Sequence, residues 1–306
     1  MSLTLAKPRV EAAPASWRDR LRDWGVWAIG AAALWVLAYG VWIIAPVGER
    51  GLQVVVGDLA DLPVAAAAAV LAWRASRLPT LPKRVQRGWR WLAAAYALLL
   101  VAHSTYAALE LVAKVDPFPS IADVLFLSFY PVALQGLLCF AGRPASRAEG
   151  LKRWLDIGTT LVGAGAFLSY FLIFPAATEQ GRDVGHALVA AAYPVGDLVL
   201  LLGILSILFQ GELGGNSRPL RVLAVGLLVL LAADLGFAYL NVRKSYQATH
   251  VTDALWNVSY LVVMVAAQVQ RGVVVAPEPA VPRRLRAVDV VPYLSVLGVL
   301  ALLVVA

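Results

Sequence analysis

The stretch His186–Phe209, HALVAAAYPVGDLVLLLGILSILF, decides how this chain is read. It exceeds the roughly 20 apolar residues that carry a helix across a bilayer core. Its one charged side chain, Asp197, lies about 11 residues in, roughly 16 Å along a helix rising about 1.5 Å per residue. A helix on the surface of a soluble protein alternates apolar and polar faces every 3.6 residues or so, whereas this run is apolar on nearly every side. It predicts a membrane-spanning helix that buries an acid.

Eight further runs of the same kind surround it: Trp24–Ala45, Leu52–Trp73, Trp89–Val112, Ser120–Ala141, Leu155–Phe174, Leu220–Leu240, Thr252–Val269 and Val290–Ala306. Asp58 and Asp61 dilute the second segment, and Asn257 and Gln268 the eighth. The fold class predicted is an all-α integral membrane protein, a polytopic bundle of about nine transmembrane helices. Composition agrees: 60% of the residues are hydrophobic and 15% charged, against roughly 25% charged in a soluble domain. An ordinary soluble globule, a disordered chain and a collagen are thereby excluded. The net charge of +7 does not signal nucleic acid, because the basic residues sit in short clusters between apolar runs. Cys139, the one cysteine, lies within an apolar run, so no intrachain disulfide is available.

The basic clusters also set an orientation. Of 26 Lys and Arg residues, only Arg50, Lys114, Arg182, Arg243 and Lys244 fall on one side of the nine-span map; the rest fall on the other. The positive-inside rule then places the N-terminus in the cytoplasm, with cytoplasmic loops at Arg74–Arg90, Gly142–Arg153 and Gly211–Arg218. The first apolar run is too long for a signal-peptide core and reads as an uncleaved anchor. The expected organisation is a cytoplasmic segment 1–23, an eight-helix bundle 24–271, a cytoplasmic loop 272–289 and a ninth segment 290–306. The sequence stops while still apolar, and we expect the natural polypeptide to continue.

Segments two to four resemble segments six to eight. Gly57-Asp58-Leu59 corresponds to Gly196-Asp197-Leu198, and His103, Tyr106 and Glu110 align with Asp234, Phe237 and Asn241. Asp123 and Tyr130 match Asp253 and Tyr260. This predicts a parallel three-one-three repeat, with repeat A over 52–141, a linker helix over 155–174 and repeat B over 186–269. SWEET-type transporters use that arrangement.

The polar residues of the spans concentrate in their outer halves, where a charge costs several kcal/mol unless it faces a bundle interior or cavity. Asp58 and Asp61 share a face of segment two, and His103, Tyr106 and Glu110 form a stripe on segment three. Asp123 and Tyr130 share a face of segment four, Tyr193 sits one turn from Asp197, and Asp234 lies in the outer half of segment seven. Asp253, Trp256, Asn257 and Tyr260 share a face of segment eight. The outer halves supply no Lys or Arg to pair with these acids. They are expected to bond to Tyr, Asn or His, to borrow Arg243 or Lys244 from a loop, or to await a cation from outside. Two readings remain open: hydrogen-bonded glue between helices, or an outward-facing acidic cavity.

The histidines His103, His186 and His250 map to the outer side but lack paired i, i+4 ligand spacing, so no metal is assigned. A retinal Schiff base is excluded by the lack of lysine inside the spans. No nucleophile elbow, P-loop, dinucleotide fingerprint or HExxH motif is present. Pro63, Pro131 and Pro194 interrupt spans and permit kinks, as ordinary transmembrane prolines or as hinges.

Several of these elements carry a resemblance. Pro119-Ser120-Ile121-Ala122-Asp123 with Tyr130-Pro131, Tyr193-Pro194-Val195-Gly196-Asp197-Leu198, Ala233-Asp234 with Tyr239, and Asp253 with Trp256 and Tyr260 resemble the N-terminal multi-helix membrane region of bacterial signalling proteins. The resemblance runs from about Leu52 to Ala306. It implies a further helix and a cytoplasmic diguanylate cyclase (GGDEF), EAL or histidine-kinase domain after this stretch, and hence no enzymatic activity within it. The expectation is an input module in the bacterial inner membrane that detects a small extracytoplasmic cationic ligand, metal or proton. Its candidate ligand-binding residues are Asp58, His103, Asp123, Tyr130, Tyr193, Asp197, Asp234, Asp253, Trp256 and Tyr260. Expected partners are lipid, that ligand, the following output domain and a second copy of the chain. A transporter is the rival reading, although the cytoplasmic half offers little beyond Asp156.

Overall fold

The structure, a computed structural model, describes residues 23–45, 47–141, 146–174, 184–209, 218–243, 250–272 and 287–305. Among them are nine α-helices and no strand: α1 (Trp24–Ile44), α2 (Arg50–Ser76), α3 (Lys83–Ala107), α4 (Ile121–Phe140), α5 (Arg147–Leu168), α6 (Val184–Leu208), α7 (Arg218–Val242), α8 (Val251–Arg271) and α9 (Val291–Val305). Two π-helical turns, Ala108–Ala113 and Ser169–Ile173, extend α3 and α5. Eight of the helices are long and apolar enough to cross a membrane; α9 is shorter.

Each predicted span is a helix, but several helices overrun the apolar runs. α5 begins at Arg147 rather than Leu155, because Ser146 caps it by accepting from the Glu149 amide at 3.1 Å. α2 continues to Ser76 and α3 starts at Lys83, so the expected loop Arg74–Arg90 shrinks to the turn 77–82. The charged residues of these stretches have good helix propensity; hydropathy marks only the apolar portion of each helix. The expected loop Gly142–Arg153 is likewise largely helical from Arg147 onward. Most of the expected loop Gly211–Arg218 lies outside the described residues, as do 1–22.

Six helices close a circuit. α2 packs on α3, α3 on α4, α4 on α6, α6 on α7, α7 on α8, and α8 returns to α2. α1 rests on α8 and α2, while α5 lies outside the circuit, touching α6 and carrying α9. Small residues set the crossings, as is usual where lipid rather than water surrounds helices. At the α3–α4 crossing a Cβ on Gly88 would meet the Phe140 ring at 2.7 Å, and one on Gly136 would meet the Gly88 carbonyl at 3.1 Å. Ser295 of α9 seats on Gly163 of α5, and Phe167 seats on Gly298. The centre of the circuit is filled by Trp89, Leu92, Tyr96, Phe129, Leu137, Leu200, Leu223, Leu227 and Tyr260. Outward faces are apolar instead: Leu34, Leu37 and Ile44 of α1, Val162 of α5, and Tyr293 and Leu297 of α9 are exposed.

The bundle has two unlike ends. At one, the start of α1 meets the ends of α2 and α8: the Asp23 carboxylate, which also caps α1 through the Gly25 amide at 2.9 Å, takes hydrogen bonds from Arg74 and from Gln268 at 2.8 Å. Arg271 adds an ion pair at 3.5 Å, and the Arg74 guanidinium lies 4.4 Å from the Trp24 ring centre. Partial burial pushes the Asp23 carboxyl up, but the hydrogen bonds from Gln268, Arg74 and Gly25 outweigh it and hold it at about 2, below the ordinary 3.8. Trp89 near the start of α3 donates to Gln270 near the end of α8 at 3.3 Å, so this end is shared. Gly203 late in α6 packs on Leu137 late in α4. Helices α2, α4, α6 and α8 therefore run in one direction, with α3 and α7 opposed. The other end collects the acids.

Candidate functional site

Two polar nodes occupy the acidic end, each joining helices of the circuit. The first is organised by Tyr130 of α4. Gly196 of α6 has no side chain where the Tyr130 ring passes, at a place where a Cβ would stand 2.5 Å from the ring. The ring therefore lies flat against α6, and its hydroxyl reaches Asp197 Oδ1 at 3.3 Å and Asp234 Oδ2 of α7 at 3.5 Å. One phenolic proton divides between two carboxyls. Trp256 of α8 donates its indole N–H to Asp234 Oδ1 at 2.7 Å. Four helices thus meet at one pair of acids, with Asp197 only 2% exposed.

Beside it, Asp123 has a local and a tertiary bond. Its Oδ2 accepts from the Ser120 amide at 2.7 Å, closing a capping box at the start of α4. Its Oδ1 accepts from the Tyr193 hydroxyl of α6 at 2.6 Å. Tyr193, expected to stand over Asp197 on its own helix, is thus bonded across the helix interface instead.

The second node centres on Asp61 of α2. Asn257 of α8 donates to Asp61 Oδ1 at 2.6 Å, and His103 Nδ1 of α3 stands 3.7 Å from Oδ2. His103 Nε2 is 3.1 Å from the Tyr260 hydroxyl, and its ring makes an edge contact with Phe126 at 4.9 Å between centres. With the ring proton on Nδ1, facing Asp61, Nε2 accepts from Tyr260. Asp253 caps α8: its Oδ2 accepts from the His250 amide at 3.0 Å and its Oδ1 from Thr252 at 3.2 Å. Asp58 is half-buried one turn before Asp61, and its Oδ2 has no hydrogen-bond partner among the described residues.

All ten sequence-derived candidates therefore lie at one end, but in two nodes rather than around one point: Tyr130, Asp197, Asp234 and Trp256, joined by Asp123 and Tyr193, in the first; Asp58, His103, Asp253 and Tyr260 in the second. At this end, among the described residues, the buried acids are met by tyrosine, tryptophan, asparagine, threonine, His103 and backbone amides. Arg243, an expected lender of charge, stacks over Tyr239 at 5.3 Å; Lys244 lies outside the described residues. Asp61 and Asn257 were noted as polar but not counted as site residues, and Asp61 proves to be the hub of its node. Its signal was the spacing to Asp58. Tyr39 of α1, buried against Ala60 with Ala254 beside it, carries no sequence signal at all.

Neither node gathers the ligand set of a metal centre from the described residues. Among the described residues no three His, Cys, Asp or Glu side chains group as ligands. His250 caps α8 through Nδ1, and His186 packs edge-on against Phe118. Comparison with protein families, curated proteins and solved structures returns no significant match to this chain.

Proposed function

We propose that the chain is a membrane-embedded sensory input module of a bacterial signalling protein. Its acidic end faces the extracytoplasmic side and its basic end the cytoplasm. It responds to a small cationic ligand or a proton and passes the response to a cytoplasmic output domain. The observation that carries this reading is the pair of acid nodes: every helix of the six-membered circuit contributes a side chain to a bond made at the acidic end. Protonating or engaging those acids therefore acts on helix packing directly. Eight long apolar helices and the apolar outer faces support the membrane placement.

The reading includes the parallel three-one-three repeat, and the contacts support it. Exchanging α2, α3, α4 for α6, α7, α8 turns the α4–α6 contact into the α8–α2 contact. The pair Tyr130–Asp234 turns into Tyr260–His103, and Trp256–Asp234 into Phe126–His103. The Ser120–Asp123 capping box turns into His250–Asp253. Such a repeat also favours the rival reading, a small-solute transporter. A route through the basic half would need a run of polar groups there, whereas its buried polar side chains are few, Ser76, Gln86 and Gln270 standing among Trp89, Leu92 and Leu137.

The test is thermal stability of the purified chain against pH and cations, compared with Asp197→Asn. A ligand that binds only the folded form raises the melting temperature. We expect wild type to respond to protons or to a cation and Asp197→Asn to respond differently. If the two curves coincide and a full-length fusion carrying Asp197→Asn signals normally, the acids are interhelical glue and the proposal fails.

A further inference from the structure

The second node holds more acceptor than its surroundings satisfy. Asp61 lies within electrostatic reach of Asp58 and Asp253, and Asp58 within reach of Glu110 on the π-helical turn after α3. Asn257 is fully buried; its amide nitrogen is spent on Asp61, while its Oδ1 has no hydrogen-bond partner among the described residues. Asp58 Oδ2 is the second such buried oxygen. A buried acceptor left without a donor is costly, and here two of them stand among carboxyls. Tyr39 of α1 packs beside Ala60, between Asp58 and Asp61 along α2, and Tyr106 of α3 lies one turn beyond His103, which stands 3.7 Å from Asp61. Among the described residues no cationic donor meets Asp58 Oδ2 or Asn257 Oδ1.

Two kinds of cation differ in what they require. A divalent metal needs several oxygens converging at about 2.0–2.6 Å, and no such grouping exists among the described residues. An organic ammonium ion instead reaches separated acceptors with individual N–H bonds of about 2.9 Å, and its carbon skeleton and charge are favoured by aromatic faces. Spaced oxygens with tyrosine walls match the second kind. Half-buried Asp58 gives the approach, and fully buried Asn257 the floor.

We propose that the head of α2, between α1, α3 and α8, is a binding site for a small primary ammonium ion, held by Asp58 and Asn257 Oδ1 and walled by Tyr39 and Tyr106. The inference rests on the reading of the acidic end as a ligand-receiving face, and it moves the contact away from the Asp197–Asp234 pair. Because α1 packs chiefly on α8 and α2, a ligand gripped beside Tyr39 bears on α1 first.

The experiment titrates the purified full chain, at constant ionic strength, with ethylammonium, putrescine, tetramethylammonium and magnesium, and follows binding by calorimetry and the melting temperature. We expect saturable binding of the two primary amines, about tenfold weaker binding of tetramethylammonium, which has no N–H to donate, and none of magnesium. Asp58→Asn and Tyr106→Leu should each weaken amine binding about tenfold or more, whereas Gly158→Ala, on α5 outside the circuit, should leave it within about threefold. Tyr106→Leu keeps every carboxyl, so it reports on the site if Asp58→Asn fails to fold. Magnesium binding as well as the amines, or amine binding retained in both Asp58→Asn and Tyr106→Leu, overturns the site while leaving the sensor reading intact. The absence of any response to cation or pH in wild type overturns both.

Discussion

At Gly196 the absence of one methyl group decides where a tyrosine hydroxyl goes. A Cβ there would stand 2.5 Å from the Tyr130 ring, so Gly196→Ala must push the ring off α6 and lift its hydroxyl from Asp197 and Asp234. Overpacking of this kind costs about 1–3 kcal/mol. Gly158 of α5 is the control, because a Cβ there meets nothing within 4 Å. Gly158→Ala should leave stability unchanged or raise it by about 0.5–1 kcal/mol through helix propensity. Melting temperatures of the two variants should move in opposite directions or differ clearly; an equal drop would mean that the Tyr130 contact carries no weight. The acids around this tyrosine were legible in sequence because a charge in an apolar run is expensive. Tyr39, Phe126 and Tyr96 were not, since aromatic rings are ordinary in such runs and their partners come from distant helices.

Among the eight long helices, α1 has the smallest buried share, and a single carboxylate ties its start to α2 and α8. The hydrogen bonds to Asp23 hold its carboxyl at about 2, below the ordinary 3.8. A depressed carboxyl contributes stability that is fully present above its ordinary value and is lost as pH falls from about 4 through about 2. Solvent screening at this partly exposed site holds the contribution to about 1–2 kcal/mol. Melting temperature measured across this window should fall more steeply for wild type than for Asp23→Asn, and the variant should be the less stable of the two at neutral pH. Parallel curves would show that Asp23 carries no such share. At this scale the sequence located each helix but not its ends. Hydropathy sees the part of a helix that shuns water, while Ser146 and the charged residues of 147–153 extend α5 by rules of capping and propensity that hydropathy does not register.

For the molecule as a whole, orientation is the open consequence of its two unlike ends. If the basic end is cytoplasmic, a cysteine placed at Thr80, in the exposed turn between α2 and α3, should resist an impermeant maleimide in intact cells and react after lysis. The background is Cys139→Ser, which removes the one native thiol. Ready labelling in intact cells would invert the map. The number and order of the helices were legible from the apolar runs, because each is long enough to need burial on nearly every side. The closing of the circuit was not, because contacts between α4 and α6, and between α8 and α2, leave no mark on either sequence alone.

That circuit passes from α4 to α6 without α5, which lies to one side with α9. The covalent link between the two triplets is therefore dispensable for their meeting. A gene divided after residue 145 would yield two polypeptides, each presenting the faces of two helices that the other covers. Co-expressed, they should assemble and purify together through a tag on either one, and each alone should be degraded. The chain would then behave as a heterodimer that happens to be fused.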